Sequence, residues 1–147
     1  MVIKPSEFTS ASTIELMKLV EEAGFPRGVV NIVTGFGQDV GEAISTHNGI
    51  DKIAFTGGEV SGRRIAQQAQ GNFKRLTLEL GGKSAQLVFP DANIDNAVKG
   101  VVSGIFAATG QTCIAGSRLL VHESIHDEFL EKFLALAGTA RMGDPMD

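Results

Sequence analysis

Two side chains in these 147 residues have the right chemistry for a nucleophile and its base: the single cysteine, Cys113, and the glutamate Glu79. Thiolate attack on a carbonyl carbon needs an approachable sulfur, and Cys113 follows Gly110-Gln111-Thr112 and precedes Ala115-Gly116, small residues that leave room around it. A lone cysteine also packs well as a small hydrophobe, so residue type alone leaves both roles open. Glu79 ends the run Leu76-Thr77-Leu78 and is followed by Leu80-Gly81-Gly82-Lys83, where the chain can bend sharply. Ligand sites of open α/β sheets lie at such strand ends. A partly desolvated carboxylate there can serve as a base, whereas an exposed one is simply a solvated charge.

Thr56-Gly57-Gly58 follows an apolar run and precedes a helical pattern. Free backbone N–H groups and the helix dipole at such a junction can hold a diphosphate, although a structural turn has the same composition. Gly35-Phe36-Gly37 is a weaker signal, because the G-x-G-x-x-G pattern is not completed. Lys4 and Glu7 flank another expected strand end, where they could bond ribose hydroxyls or form a solvated pair.

The elements that must position these residues follow from periodicity. Ser12-Thr13-Ile14-Glu15 has the form of a capping box, with Ile14, Met17 and Val20 at helical spacing behind it and Gly24 and Pro26 as the stop. Val29 to Val33 predicts a strand buried on both faces, followed by a helix over about Gln38 to Thr46. Lys52 to Phe55 predicts a strand, Ser61 to Gln70 a helix, and Arg75 to Leu80 a strand. Beyond Gly81-Gly82 the expected order is a strand over Ser84 to Phe89, a long helix over Ile94 to Ala108, a loop through Cys113, a strand over Arg118 to Val121 and a helix from Ser124 to about Ala137. Strands separated by helices pair in parallel, so the expected fold is α/β: a Rossmann-like parallel sheet with helices over 1–80, a domain boundary near Gly81, and further α/β structure over 81–147.

Composition excludes several classes of function. A 43% hydrophobic, 20% charged chain is that of an ordinary globular protein, and a net charge of −4 with scattered basic residues argues against nucleic-acid binding. No apolar run approaches the roughly 20 residues needed to span a bilayer. One cysteine allows no internal disulfide and fits a reducing, cytoplasmic compartment. Eighteen glycines lie mainly between apolar runs, which fits many tight strand-to-helix turns. The end at Gly143-Asp144-Pro145 has no closing element behind it, so an internal piece of a longer chain is expected.

Lys4-Pro5-Ser6-Glu7, Phe55-Thr56-Gly57-Gly58, Leu78-Glu79-Leu80-Gly81-Gly82-Lys83 and Gly110-Gln111-Thr112-Cys113, in this order, resemble the NAD(P)-dependent aldehyde dehydrogenase superfamily, and so does the closing Met142-Gly143-Asp144-Pro145. The 34 positions from Glu79 to Cys113 match the family's usual interval. The resemblance implies that Cys113 attacks an aldehyde to form a thiohemiacetal, that hydride passes to the nicotinamide, and that Glu79 activates water to hydrolyse the resulting thioester. It implies half of an oxyanion hole at the Cys113 N–H. For the cofactor it implies Lys4, Ser6 and Glu7 at the adenosine ribose, Gly37 and Gly41 near the adenine and ribose, Gly57 and Gly58 at the diphosphate, and Leu80 towards the nicotinamide. A carboxylate at Glu7 favours NAD, with NADP possible, and no metal is implied. Many relatives carry serine where this chain has Gly58.

The family's second oxyanion donor, the glutamate on the nicotinamide ribose and the arm that pairs subunits have no counterpart in these residues. The resemblance therefore implies parts of two domains, an NAD-binding one over 1–80 and an α/β catalytic one over 81–147, in a fragment that is inactive or impaired, cut from a homodimer or homotetramer. Two other readings stay open: a thiol esterase using Cys113 with His47, His122 or His126, and a non-catalytic nucleotide-binding module. All catalytic readings of Glu79 require its carboxylate and the Cys113 sulfur to open onto one cavity.

Overall fold

The alternation of apolar runs and amphipathic stretches resolves into six strands and five α-helices in the computed structural model, which describes residues 1–144 and 146. Pro145, the last residue of the closing motif, lies outside the described residues. The chain divides into two compact units, Met1–Glu79 and Leu80–Asp147.

The first unit contains β1 (Val2–Ile3), α1 (Ser10–Glu22), β2 (Asn31–Ile32), α2 (Glu42–Thr46), β3 (Lys52–Thr56), α3 (Glu59–Ala69) and β4 (Arg75–Glu79). β1 pairs with β2 and β3 with β4, both in parallel, each pair bridged by its own helix as a parallel crossover requires. In β3 and β4 the side chains alternate as a half-covered strand should: Ile53, Phe55, Leu76 and Leu78 turn inward, while Lys52, Thr56, Arg75, Thr77 and Glu79 are exposed. The covering helix α3 turns Gly62, Ile65, Ala66 and Ala69 away from solvent. Ser45 and Lys74 are the buried polar side chains of this unit, and both are satisfied: Ser45 Oγ donates to Glu42 O at 3.0 Å and bonds Gln68 Oε1 at 2.5 Å, and Lys74 Nζ donates to His47 O at 2.6 Å.

The second unit contains β5 (Ala85–Val88), α4 (Ile94–Phe106), β6 (Arg118–Val121) and α5 (His126–Ala137), with β5 and β6 parallel from Ala85 opposite Arg118 to Val88 opposite Val121. Its core is Val88, Val98, Val101 and Phe129, flanked by Ile94, Ala97, Val121, Phe133 and Leu136. The Phe129 and Phe133 rings stack with centroids 6.3 Å apart. Asn93 caps α4 by accepting from the Asn96 N–H at 3.0 Å. Leu87, Phe89 and Leu120, on the other face of the ribbon, are each at least half exposed.

Several expectations need correction. The parallel sheet expected over 1–80 is two separate two-stranded parallel ribbons, β1 with β2 and β3 with β4. The strand expected over Val29 to Val33 is only two residues long and has one partner, leaving Val29 and Val33 exposed where burial on both faces was expected. Ser12 and Glu15 do not form a capping box. The turn in which Thr9 N–H donates to Ser6 O starts the helix at Ser10, Thr9 caps it without a side-chain bond, and Glu15 pairs with Lys18. The second helix opens with a π-helical turn over Gly37–Gly41, and α4 stops at Phe106 because Ala107 leaves the helical angles with ψ at 137°, followed by Ala108 and Thr109 in left-handed geometry.

Lys132 Nζ ties α5 to α4 by donating to Asp95 Oδ1 at 2.8 Å, with Glu128 at 3.1 Å. The hydrogen bond and the positive charge of Lys132 hold the Asp95 carboxyl below its ordinary value of 3.8. A folded value below the unfolded one means that the stabilising effect is present above the unfolded value and is lost as pH falls through the folded one. Lys132→Met should return the Asp95 titration, followed by NMR, towards the ordinary carboxylate value. Phe129→Ala should lower the stability of the second unit by about 3–5 kcal/mol in denaturant unfolding, the usual effect of emptying a buried aromatic site.

Candidate active site

At the start of the first unit the chain leaves β1 through Lys4, whose stem is largely buried. Its ammonium donates to Pro5 O at 2.7 Å and to Gly35 O at 2.9 Å, and lies 3.8 Å from Glu7 Oε2. Two carbonyls and a carboxylate therefore fix a side chain that composition alone left as a solvated charge. Gly35 has φ +148° and a Cβ there would lie 2.4 Å from Val40 Cγ2, so only glycine fits the turn that receives Lys4. A Cβ at Gly41 would make ordinary contact with Lys4 Cε at 3.8 Å, and Gly37 faces open space. Lys4, Glu7, Gly35 and Gly41 thus share one corner, with the Glu7 carboxylate at its open side. Ser6 turns its hydroxyl to the Phe8 N–H at 3.3 Å.

The turn after β3 continues its ladder: Gly57 N–H donates to Glu79 O at 3.0 Å. A Cβ on Gly57 would lie 2.5 Å from Phe55 Cζ, whereas Gly58 faces open space and caps α3 in extended geometry with no side-chain bond. The first-turn N–H groups of α3 therefore keep their donors available, as an anion site at a helix N-terminus requires. Glu59 in that turn is drawn aside by Arg63, which bonds it at 2.6 and 3.0 Å. Glu79 pairs across the ribbon with Thr56 and is exposed, on the face away from Phe55 and Leu78. The partial desolvation expected of its carboxylate is not supplied by its own unit, because β4 alternates and position 79 falls on the uncovered side. Leu80, half-buried, opens the second unit.

Cys113 lies in that second unit, exposed and free, in a turn closed by Ala115 N–H donating to Thr112 O at 3.0 Å. Among the described residues, the Cys113 N–H donates to no acceptor. The approach to the cysteine is unusual. Ala108, Thr109 and Gly110 have φ values of 50°, 55° and 77° in succession, a left-handed turn in which Gln111 N–H donates to Ala108 O at 3.0 Å. For the β-branched Thr109 this costs about 1–2 kcal/mol, offset in part by hydrogen bonds at its hydroxyl from Gln111 Nε2 and to Ala108 O. Behind the cysteine, Gly116 N–H donates to Gly104 O near the end of α4 at 3.1 Å. Gly82 packs against the Cys113 carbonyl so closely that a Cβ would sit 3.0 Å from that oxygen. Arg118 Nε holds the same glycine loop through Lys83 O at 2.8 Å.

The whole chain, residues 1–147, matches the model of the aldehyde dehydrogenase family. The chain belongs to this family. It is 48% identical over 146 residues to an aldehyde dehydrogenase of Agaricus bisporus, covering 99% of this chain and 29% of that protein. It is 51% identical to retinal dehydrogenase 2 of Taeniopygia guttata over 148 residues, covering 100% and 29%. Among solved structures, PnpE from Pseudomonas sp. WBC-3 is 55% identical with a TM-score of 0.94, covering 99% of this chain and 30% of that one, and it has also been solved with nicotinamide adenine dinucleotide. An NAD-dependent aldehyde dehydrogenase from Sinorhizobium meliloti is 44% identical, covering 99% and 29%, with a TM-score of 0.96. The chain therefore has the α/β Rossmann-like architecture of its relatives and spans about 30% of their length.

Sequence reasoning missed two residues around the cysteine. Gly82 reads as a bend but is also a close contact. Gln86 reads as a polar strand position but turns inward, donating to Val101 O and Gly116 O; its signal is a long amide among inward-facing apolar positions of β5. The histidines of the second unit do not join Cys113: His122 bonds Ser124 and His126 bonds Asp127. No group of three His, Cys, Asp or Glu side chains among the described residues could hold a metal ion, and no helix is long and apolar enough to cross a membrane.

The two glycines before α3 should respond oppositely to substitution. Gly58→Ser places a capping hydroxyl in free space and should raise stability by a few tenths of a kcal/mol, while Gly57→Ala drives a methyl into Phe55 and should lower it by about 1–3 kcal/mol, both measured by urea unfolding.

Proposed function

We propose that the protein to which this chain contributes oxidises an aldehyde to a carboxylic acid with NAD, using Cys113 as nucleophile and Glu79 as general base. The observation that carries the reading is the exposed Cys113 thiol in an anchored turn whose own N–H donates to no acceptor among the described residues. A sulfur that attacks a carbonyl needs both access and a donor for the oxygen that becomes charged, and Cys113 supplies the two from one residue.

The Lys4, Ser6 and Glu7 segment, with Gly41 beside Lys4 and Gly37 facing open space, suits an adenosine ribose, because the Glu7 carboxylate can accept from its two hydroxyls. The same charge repels a 2′-phosphate, favouring NAD over NADP. Gly57, Gly58 and the open first turn of α3 suit a diphosphate, and Leu80 offers an apolar contact towards the nicotinamide. The turn lacks any side chain that would fill the anion's place, so the residues present fit the cofactor. NAD, when bound, accepts the hydride from the carbon held by sulfur.

In the forward reaction the Cys113 sulfur forms a bond to the aldehyde carbon and the carbonyl electrons move to oxygen, where the Cys113 N–H donates. After oxidation the carbon is held as a thioester. Glu79 takes a proton from water, the resulting hydroxide adds to that carbon, the carbon–sulfur bond breaks, the carboxylic acid is released and the Cys113 thiolate is regenerated. An exposed Glu79 can bind and release that proton to solvent. The single cysteine and the lack of a disulfide suit a reducing, cytoplasmic compartment, and a dimer or tetramer is the expected assembly.

The test uses the full-length protein with a simple aliphatic aldehyde and NAD. Cys113→Ala should abolish NADH formation. Glu79→Gln should allow a first burst of NADH and then slow turnover by about 100-fold or more, the usual contribution of a positioned base. Steady-state turnover surviving in Cys113→Ala would remove the mechanism. Binding of NAD with a Cys113 inert to iodoacetamide would instead leave a nucleotide-binding module.

A further inference from the structure

We propose that Gln86 is a positioning residue for the nucleophile: its side-chain amide clamps the segment that follows Cys113 onto α4 and so sets where the sulfur stands. The inference rests on the dehydrogenase reading for its link to catalysis, but the clamp itself stands on geometry within the second unit. Gln86 Nε2 donates to Gly116 O at 2.9 Å and to Val101 O at 3.3 Å. Both partners are carbonyls, which only accept, so the amide nitrogen must face them.

The room for this amide comes from two glycines. A Cβ at Gly116 would lie 2.3–2.4 Å from Gln86 Nε2, Cδ and Cγ, and a Cβ at Gly104 would lie 2.9 Å from Gln86 Oε1. Gly104 and Gly116 are themselves joined, Gly116 N–H donating to Gly104 O at 3.1 Å, which satisfies a carbonyl in the last turn of α4 that has no partner within the helix. Gly116 is thus held at both its N–H and its C=O, three residues after Cys113. With Ala115 N–H closing the cysteine turn and Gly82 against the Cys113 carbonyl, the nucleophile has little freedom to move while Gln86 is in place. Removing the donor frees Gly116, and a displacement of the sulfur by about 1 Å is enough to slow a reaction by up to about 100-fold.

Gln86→Met keeps length and volume while losing both donors. In the full-length enzyme it should lower kcat by about 10- to 100-fold with KM for NAD within about twofold. Its Gly116 amide should exchange hydrogen about tenfold faster than in the unaltered protein. Gly116→Ala should lower kcat similarly by displacing the amide, and the double variant Gln86→Ala/Gly116→Ala should be no worse than Gln86→Ala alone, because the collision is gone. An unchanged kcat in Gln86→Met, additive losses in the double variant, or unchanged exchange at Gly116 would each overturn the proposal. If the unaltered protein forms no NADH, the dehydrogenase reading fails by itself, and the exchange measurement still decides whether Gln86 clamps the loop. If Gln86→Met does not fold, Gln86→Glu, which turns a carboxylate towards the same two carbonyl oxygens, should show the same faster exchange; protection equal to the unaltered protein would overturn the clamp.

Discussion

Parallel pairing is the constraint on which the rest of this structure depends. Two parallel strands cannot be joined by a tight hairpin, so each of the three ribbons carries its own helical crossover, and β1, β3 and β5 each open into a turn that feeds a helix. The candidate chemistry sits at those openings. Lys4 leaves β1, Gly57 and Gly58 leave β3, and Glu79 ends β4 opposite Thr56. Cys113 occupies the return from α4 to β6. Within each unit, chain reversals thus carry the candidate groups: donors and a carboxylate in the first, a thiol in the second.

The glycines act in two distinct ways at these reversals. Gly35 is demanded by a backbone angle and by Val40, whereas Gly104 and Gly116 are demanded by a neighbour's side chain running between them. This distinction separates positions where any side chain would strain the backbone from positions where the obstacle is a movable amide. Gly58, with neither demand, is free for a hydroxyl.

Much of the fold was legible because its signals are local. β3, β4, β5 and β6 lie within a residue of the runs that announced them, and α5 ends where its periodicity does. The misjudged parts depend on partners far along the chain. Val29 to Val33 has the composition of a fully buried strand, but burial depends on what covers it, and β2 has a single neighbour. Ser12 and Glu15 have capping-box spacing, yet the preceding Ser6 to Thr9 turn starts the helix earlier. At the candidate site, linked motifs singled out Cys113, Glu79 and the glycine turns. They did not show the Lys4 ammonium locked by two carbonyls, nor the inward amide of Gln86, since both depend on carbonyls that carry no side-chain identity.

The left-handed turn at Ala108 and Thr109 bears on the order of folding. Neither residue adopts such angles by local preference. The contacts that hold the following segment join Gln86 to Val101 and to Gly116, 15 and 30 positions apart. A thiol placed by contacts of that span acquires its final setting only after β5, α4 and the return towards β6 have assembled, so nascent chains carry an unplaced cysteine through the early stages of collapse.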